Sequence, residues 1–176
     1  MDAIASLAGV SKPTVYKHFV DKQGLLAETV GTTIDRFTEP FYDEVVHLDD
    51  SPDVEDQLRD LAVRLLAAVM QPQLLQLRRL VIGEAGRLQE LGRTYEQRGP
   101  ERAISALTTA FERLHEKGAL RLDDPSLAAA HFNWLVLAIP LNHAMISGED
   151  RPPEETELQW YADAAVRVFL AAYRAA

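Results

Sequence analysis

Apolar residues near the start of the chain recur at helical spacing. Ile4, Leu7 and Ala8 stand at positions i, i+3 and i+4, which places them on one face of a helix. Gly9 follows at a point where a left-handed residue commonly ends a helix. This pattern predicts a short first helix that ends at Gly9.

A second short helix is predicted directly after this turn, beginning at Ser11 or Lys12. The hydroxyl of Ser11 is able to cap its N-terminus. Pro13 falls in the first turn, where a missing amide proton leaves no hydrogen bond unmade. Val15 and Phe19 lie one turn apart and are expected to pack against the first helix. The two helices together predict a helix-turn-helix unit.

The rest of the chain shows the same helical period, without the alternation that is typical of strands. Proline, glycine and acidic capping residues divide it into five or six predicted helices. These helices are expected from Asp21 through Phe37 and, after a kink at Pro40, to Val46; from Val54 to Pro72; through 77–91; from 107 to 118; from Pro125 to about Ile146; and after Pro153. The pattern predicts an all-α fold, with residues 1–24 as a helix-turn-helix head and residues 25–176 as an antiparallel helical bundle.

The predicted helix over 125–146 is apolar nearly all round, which indicates burial on more than one side. A homodimer explains this pattern, with one face in the interior and the other against a second subunit. The alternative is a monomer whose core extends there. On the last helix we expect an inner stripe of Leu158, Tyr161, Ala165, Val168 and Ala172. The expected interface residues are Trp160 and Phe169 as anchors, with the small residues Ala164 and Ala171 allowing close approach.

The charge of the chain is distributed unevenly. The net charge is −9, and three of the four lysines, Lys12, Lys17 and Lys22, lie in the head. Thr14, Lys17 and His18 share the face of the second helix opposite its apolar residues. Ammonium, hydroxyl and imidazole groups suit DNA phosphates, and an acidic body orients the approach of a basic head. These features predict DNA binding.

The run MDAIASLAGVSKPTVYKHFVDKQGLL resembles the helix-turn-helix of the tetracycline-repressor (TetR/AcrR-like) transcriptional regulators. The turn AGVS, the segment PTVYKHF and the following DK-x-x-LL carry the resemblance. It implies a recognition helix over about Lys12–Phe19 in the major groove. The residues expected to contact DNA bases or phosphates are Lys12, Pro13, Thr14, Tyr16, Lys17, His18 and Lys22. Two alternatives stay open at this point, Tyr16 packing against the turn and His18 as a half-buried core histidine.

The chain departs from this family at its start. Family members have a further helix before the motif, which packs across the other two, and the sequence here begins too late for it. We therefore expect a mobile or incomplete DNA-binding head, because part of its apolar face lacks cover. Two explanations are open, a gene product that starts upstream and a species with weakened operator binding.

A regulator of this kind is expected to be released from a pseudo-palindromic operator by a small apolar or amphipathic effector, most simply as a repressor. Its cavity needs an apolar wall with few convergent polar groups. Glu84 lies on an apolar stripe and has a salt bridge to Arg87 or Arg64 as its structural alternative. The candidate ligand-binding residues are Phe37, Tyr42, Met70, Glu84, His131, Trp134 and Asn142.

Composition favours a cytoplasmic binding protein over an enzyme. The chain has no cysteine and no apolar run long enough to span a bilayer, and it lacks the common hydrolase and nucleotide motifs, so we expect no cofactor. One alternative is a dimeric ligand-binding protein without DNA binding. The other is a di-metal helical-bundle enzyme, because Glu44 with His47 and Glu112 with His115 both form E-x-x-H pairs.

Overall fold

The fold is a helical bundle with a small helical head. A computed structural model describes residues 1–48, 53–148 and 151–175. Within these ranges the elements are α1 (Asp2–Leu7), α2 (Lys12–His18), α3 (Lys22–Val46), α4 (Val54–Val69), α5 (Pro72–Glu84), α6 (Gln89–Glu96), a π-helical segment (Gln97–Glu101), α7 (Arg102–Glu116), α8 (Pro125–Ser147) and α9 (Glu155–Tyr173). Outside the helices, an isolated antiparallel bridge joins Leu120 and Arg174. The all-α prediction is confirmed.

The capping residues predicted from sequence are found where they were expected. Gly9 has φ +65°, the left-handed conformation that ends α1. The Ser11 side chain accepts a hydrogen bond from the amide of Thr14 at 3.2 Å. Asp21 caps α3 through its carboxylate, and the Asp124 carboxylate accepts from the first turn of α8. Local capping chemistry therefore defines the starts of α2, α3 and α8.

The body contains more helices than the five or six predicted, since α3 to α9 make seven within the described residues. The helix predicted over 77–91 is two helices, because α5 ends at Glu84 and the backbone turns before α6. Gly83 and Gly86 lie at this break and lower the helical stability there. The π-helical segment was not predicted, and it contains Pro100, which has no amide proton for the α-helical hydrogen bond.

The proposed domain boundary at residue 24 falls inside α3, which continues through Pro40 to Val46 as one helix. This helix also packs against α4, α6 and α7 of the body. The head and the body therefore share an element.

The main core lies between α4, α7, α8 and α9. Phe111, Phe132 and Phe169 are fully buried at its centre, with ring centroids 5.2 to 5.6 Å apart. A smaller second cluster, built around Val30 and Ile34 of α3, packs against α5 and α6. No helix in the described part of the chain is long and apolar enough to cross a membrane.

The inner face of α9 differs from the stripe predicted for it. Phe169 is fully buried, whereas Val168 is 53% exposed and Ala172 is exposed. The two faces of α9 are both apolar, so the partner helices decide which one is enclosed. The prediction that Phe169 anchors the dimer is therefore wrong, because its ring is buried in the core of the protomer.

Candidate nucleic-acid interface and body cavity

The head buries one small apolar side chain on each of its two short helices. These are Ala5 of α1 and Val15 of α2. The turn between the helices is closed by the amide of Val10, which donates to the carbonyl of Ala5 at 3.0 Å. Leu7 was expected on the packed face, but it is 90% exposed. The side of α1 that carries Leu7 is therefore uncovered in the structure.

All seven predicted DNA contacts lie on the surface. Six of them are on α2, and Lys22 is the first residue of α3. His18 is exposed, so it is not a core histidine, whereas Tyr16 is 48% exposed and presents about half of its surface to solvent. Backbone amides at the start of α3 favour an anion beside Lys22, although Asp21 already caps two of them. The outer face of α2 is thus chemically suited to a phosphate backbone.

Lys12 has a partner that the sequence did not reveal. Its ammonium lies 2.8 Å from the carboxylate of Asp2, which joins α2 to α1. The hydrogen bond from Lys12 lowers the pKa of Asp2, and the same contact raises the pKa of Lys12 above its ordinary value. Both groups are well exposed, so a DNA phosphate is able to compete with Asp2 for Lys12.

Two family models match the chain. Residues 56–175 match the C-terminal domain of AefR-like transcriptional repressors, and residues 1–29 match the bacterial regulatory proteins of the tetR family. The chain belongs to the TetR family of transcriptional regulators. Members of this family bind DNA, function as dimers and are not enzymes. The resemblance seen in the first residues thus extends over most of the protein.

Solved structures of TetR-family proteins share the fold. A protein described as a TetR-family transcriptional regulator from Mesorhizobium loti MAFF303099 is 39% identical, with 97% of this chain and 84% of that chain covered and a TM-score of 0.89. The flavonoid-responsive regulator FrrA is 28% identical over 99% of this chain and 86% of its own, with a TM-score of 0.77. A TetR transcriptional regulator from Agrobacterium tumefaciens is 26% identical over 99% and 83%, with a TM-score of 0.67. No curated protein matches the chain.

The body of this TetR-family protein contains a cavity of about 40 Å³. Its walls come from α3, α4, α5, α6, α7, α8 and the π-helical segment. Tyr42 and Trp134, both predicted as ligand residues, line it. Phe37 and Met70 do not, since Phe37 packs against the second cluster and Met70 is buried in the main core.

The remaining ligand candidates also lie outside this cavity. Glu84 forms the salt bridge to Arg87 at 2.6 Å, which was its structural alternative. His131 is exposed and its Nδ1 lies 2.6 Å from the hydroxyl of Tyr173. Asn142 is exposed and lines an open groove beside α5. Of the seven ligand residues predicted from sequence, the fold therefore places only Tyr42 and Trp134 in the cavity wall.

Several polar residues of the cavity wall were missed, and two of them, Asn133 and Arg78, have buried polar atoms without a partner. Asn133 is 1% exposed, although α8 is otherwise apolar on this face. The sequence contained a signal for its burial, because Asn133 continues the helical spacing of the buried residues Ala129 and Val136. Arg78 lies on α5 among leucines, where only the fold shows which way it points.

Ion pairs connect the cavity wall to α3. The carboxylate of Asp35 accepts from Arg98 Nη1 at 2.6 Å and from Arg102 Nη1 at 3.1 Å. We name this set of three residues the Asp35 clamp. Arg98 also lies against Gly31, where an added Cβ would come within 2.9 Å of its side chain. Because Arg98 belongs to the π-helical segment and Asp35 to α3, the clamp ties these two elements together.

An apolar surface runs along the outer sides of α8 and α9. We call it the α8–α9 face, and its exposed large residues are Leu135, Ile139, Trp160 and Val168. The predicted interface residue Ala171 is exposed on the same helix, and Ala164 is partly exposed. Several large apolar side chains exposed on two neighbouring helices are typical of a protein interface.

The E-x-x-H pairs do not assemble into a metal centre in the described ranges, where no group of three or more ligand residues converges. Glu44 pairs instead with Arg64 at 3.2 Å. The ring of His115 bonds to the backbone at Leu120 and Leu122. The two pairs thus serve local structure.

Proposed function

We propose that this TetR-family protein is a repressor that binds a pseudo-palindromic operator as a homodimer and is released by a small aromatic or amphipathic effector. The observation that carries the proposal is the exposed face of α2, which presents Lys12, Thr14, Tyr16, Lys17 and His18 outward. The acidic body supplies the other two parts, an apolar α8–α9 face and a cavity with polar groups in its wall.

The proposed contacts divide into two kinds. Lys12, Pro13 and Thr14, at the start of α2, approach base edges in the major groove, and Tyr16, His18 and Lys22 hold phosphates. Contacts to phosphates release counterions, so the affinity depends strongly on salt. Two-fold pairing of the bodies places two such heads about one helical turn of DNA apart, or at a related spacing.

We infer that the effector acts through α3. Lys22 of the interface and Tyr42 of the cavity belong to this one helix. A molecule that enlarges the cavity displaces α3 or the π-helical segment, and it lowers operator affinity by its differential binding to the two arrangements. The likeness to FrrA, a flavonoid-responsive regulator, makes flat aromatic compounds the first class to test.

The test of this proposal is a binding titration of the protein with DNA from upstream of its own gene. Fluorescence anisotropy across 50 to 200 mM salt, with random DNA of equal length as the comparison, measures specific affinity. We expect specific binding that weakens about 1,000-fold or more over this range, given several phosphate contacts in each head. A dimer that binds neither the upstream fragment nor the random fragment would favour the alternative of a ligand-binding protein without DNA binding.

Disrupting the α8–α9 face tests the homodimer. A Val168→Glu substitution is expected to convert the protein to monomer at micromolar concentration and to lower operator affinity, because it places a charge in an apolar interface. Val46→Glu is the matched control, since Val46 is 65% exposed, Val168 is 53% exposed, and Val46 lies on α3. Light scattering after gel filtration measures the mass. Dimers in both variants would contradict the assignment of the interface.

Removing the negative charge of Asp35 tests the connection between α3 and the π-helical part of the cavity wall. Asp35→Asn leaves two arginines without their shared carboxylate and is expected to lower the free energy of unfolding by about 1 kcal/mol, since the groups are partly exposed. Hydrogen exchange should become faster in the π-helical segment. Asp43→Asn is the control on the same helix, because Asp43 is exposed. Unchanged exchange in Asp35→Asn would show that the clamp holds nothing in place.

A further inference from the structure

Asn133 is the most unusual polar residue in the body. Its side chain is 1% exposed and lines the cavity, and both its amide oxygen and its amide nitrogen lack a hydrogen-bond partner in the structure. A buried amide without partners is unfavourable, and such groups are rare in folded proteins. The Asn133 side chain therefore offers an amide donor and an amide acceptor that the protein itself does not use.

Two further polar residues, Arg78 and Tyr42, line the same cavity. The Nε of Arg78 is buried without a partner, while its Nη1 donates to the hydroxyl of Tyr95 at 3.2 Å. Among the described residues, Arg78 forms no pair with a carboxylate. The hydroxyl of Tyr42 is also buried without a partner of good geometry, and burial raises the pKa of Tyr42, so the phenol keeps its proton.

The unused groups are mostly donors. Asn133 Nδ2, Arg78 Nε and the hydroxyl of Tyr42 are each able to donate, whereas Asn133 Oδ1 accepts. The surrounding wall is largely apolar, and Phe41, Tyr95 and Trp134 contribute aromatic rings to it. A matching ligand is flat and aromatic and carries oxygen acceptors at one edge.

We propose that the cavity selects aromatic molecules that present a carbonyl or hydroxyl oxygen to Asn133 and Arg78. This inference rests on the proposed effector control and specifies the chemistry of the effector. It adds Asn133 and Arg78 as the residues that determine specificity. An apolar molecule of the same shape leaves both groups unpaired, which is the main source of discrimination by buried polar sites.

The cavity is smaller than the aromatic ligand proposed for it. A volume of about 40 Å³ holds only a few water molecules, so an aromatic ligand must displace part of the wall. Gly99 and Pro100 line the cavity from the π-helical segment. This segment also carries Arg98 of the Asp35 clamp, so widening the cavity there pulls on α3.

Three probes that share one ring system separate shape from polar recognition: naphthalene, 2-naphthol and 2-acetylnaphthalene. Equilibrium dialysis with the full chain, read by ultraviolet absorbance, measures the three affinities without DNA. We expect both oxygenated probes to bind at least about tenfold more tightly than naphthalene, since one buried hydrogen bond of about 1.4 kcal/mol corresponds to a factor of ten.

Substitutions assign this preference to residues. Asn133→Leu and, independently, Arg78→Met should each reduce the preference for oxygenated probes to about threefold or less while retaining naphthalene binding. Asn142→Leu is the matched control, because Asn142 lies on the same helix but is exposed outside the cavity. Circular dichroism verifies that each variant is folded. If one of the two cavity variants does not fold, the other still tests the preference for oxygenated probes.

The possible outcomes are distinct. Equal affinity for the three probes, or a preference that survives in both cavity variants, overturns the inference about Asn133 and Arg78. No binding of any probe at its solubility limit overturns the cavity as a ligand site. Operator binding is measured separately in the anisotropy experiment, so a failure here leaves the DNA-binding part of the proposed function intact.

Discussion

Replacing Tyr16 and Lys22 together by alanine is expected to lower operator affinity at least about 1,000-fold, because the homodimer loses two phosphate contacts from each of its two heads. Each side chain is exposed on the proposed DNA surface, and each loses a contact to a phosphate that is worth roughly 1 to 1.5 kcal/mol. The loss of Lys22 also removes one counterion-releasing charge from each head of the dimer, which should make the salt dependence shallower by about 1.8 in the log–log slope. Fluorescence anisotropy with the operator fragment over a salt series measures both quantities.

The matched control for this experiment is Lys117→Ala. Lys117 is the fourth lysine of the chain and lies in the turn after α7, so its loss changes the net charge by the same amount as the loss of Lys22. We expect little change in affinity and the wild-type salt slope. If Lys117→Ala weakens binding as much as Lys22→Ala alone, the chain binds DNA through diffuse charge and the assignment of the α2 surface is wrong.

Phe169→Ala is expected to lower the free energy of unfolding by about 3 to 5 kcal/mol, because it opens a cavity in the main core. Phe169 is fully buried and its ring lies 5.2 Å from those of both Phe111 and Phe132. At about 2 to 4 °C per kcal/mol for a chain of this size, the melting temperature should fall by about 10 °C. Thermal unfolding monitored by circular dichroism, at one fixed protomer concentration, provides the measurement.

Trp160→Ala provides the contrast on the same helix. Trp160 is 64% exposed on the α8–α9 face, so its loss should weaken dimerisation while leaving the protomer folded. Sedimentation at several protein concentrations distinguishes the two effects. A Phe169→Ala protein that dissociates into stable, well-folded monomers would restore Phe169 to the interface and contradict its place in the core.

Local sequence chemistry predicted much of the head. Gly9 ends α1, Ser11 and Asp21 begin the next two helices, and the polar residues of α2 lie on the surface as expected. Each of these features depends on a few neighbouring residues, because capping hydrogen bonds and helical faces span only one or two turns. Contacts between elements were not accessible in this way, as the ion pair of Lys12 with Asp2 shows.

The ligand site was only half predicted, for a related reason. Tyr42 and Trp134 line the cavity, but Asn133 and Arg78 were missed while Asn142 was chosen. Asn133 and Asn142 are both amides on α8, and they differ in which neighbouring helices cover them. Residue type indicates what a side chain is able to bind, whereas its surroundings decide whether its polar atoms stay unpaired.

The sequence by itself determined the helical fold class, the capped starts of α2, α3 and α8 and the exposed basic face of α2, since these follow from the spacing and capping of neighbouring residues. Only the tertiary structure decided that α5 and α6 are separate, that a π-helical segment joins α6 to α7, and that Phe169 instead of Val168 faces the core. Helices that are apolar on two faces satisfy the same local pattern in either orientation. Packing between distant helices therefore selects the face that is buried, and with it the polar groups that the cavity leaves unpaired.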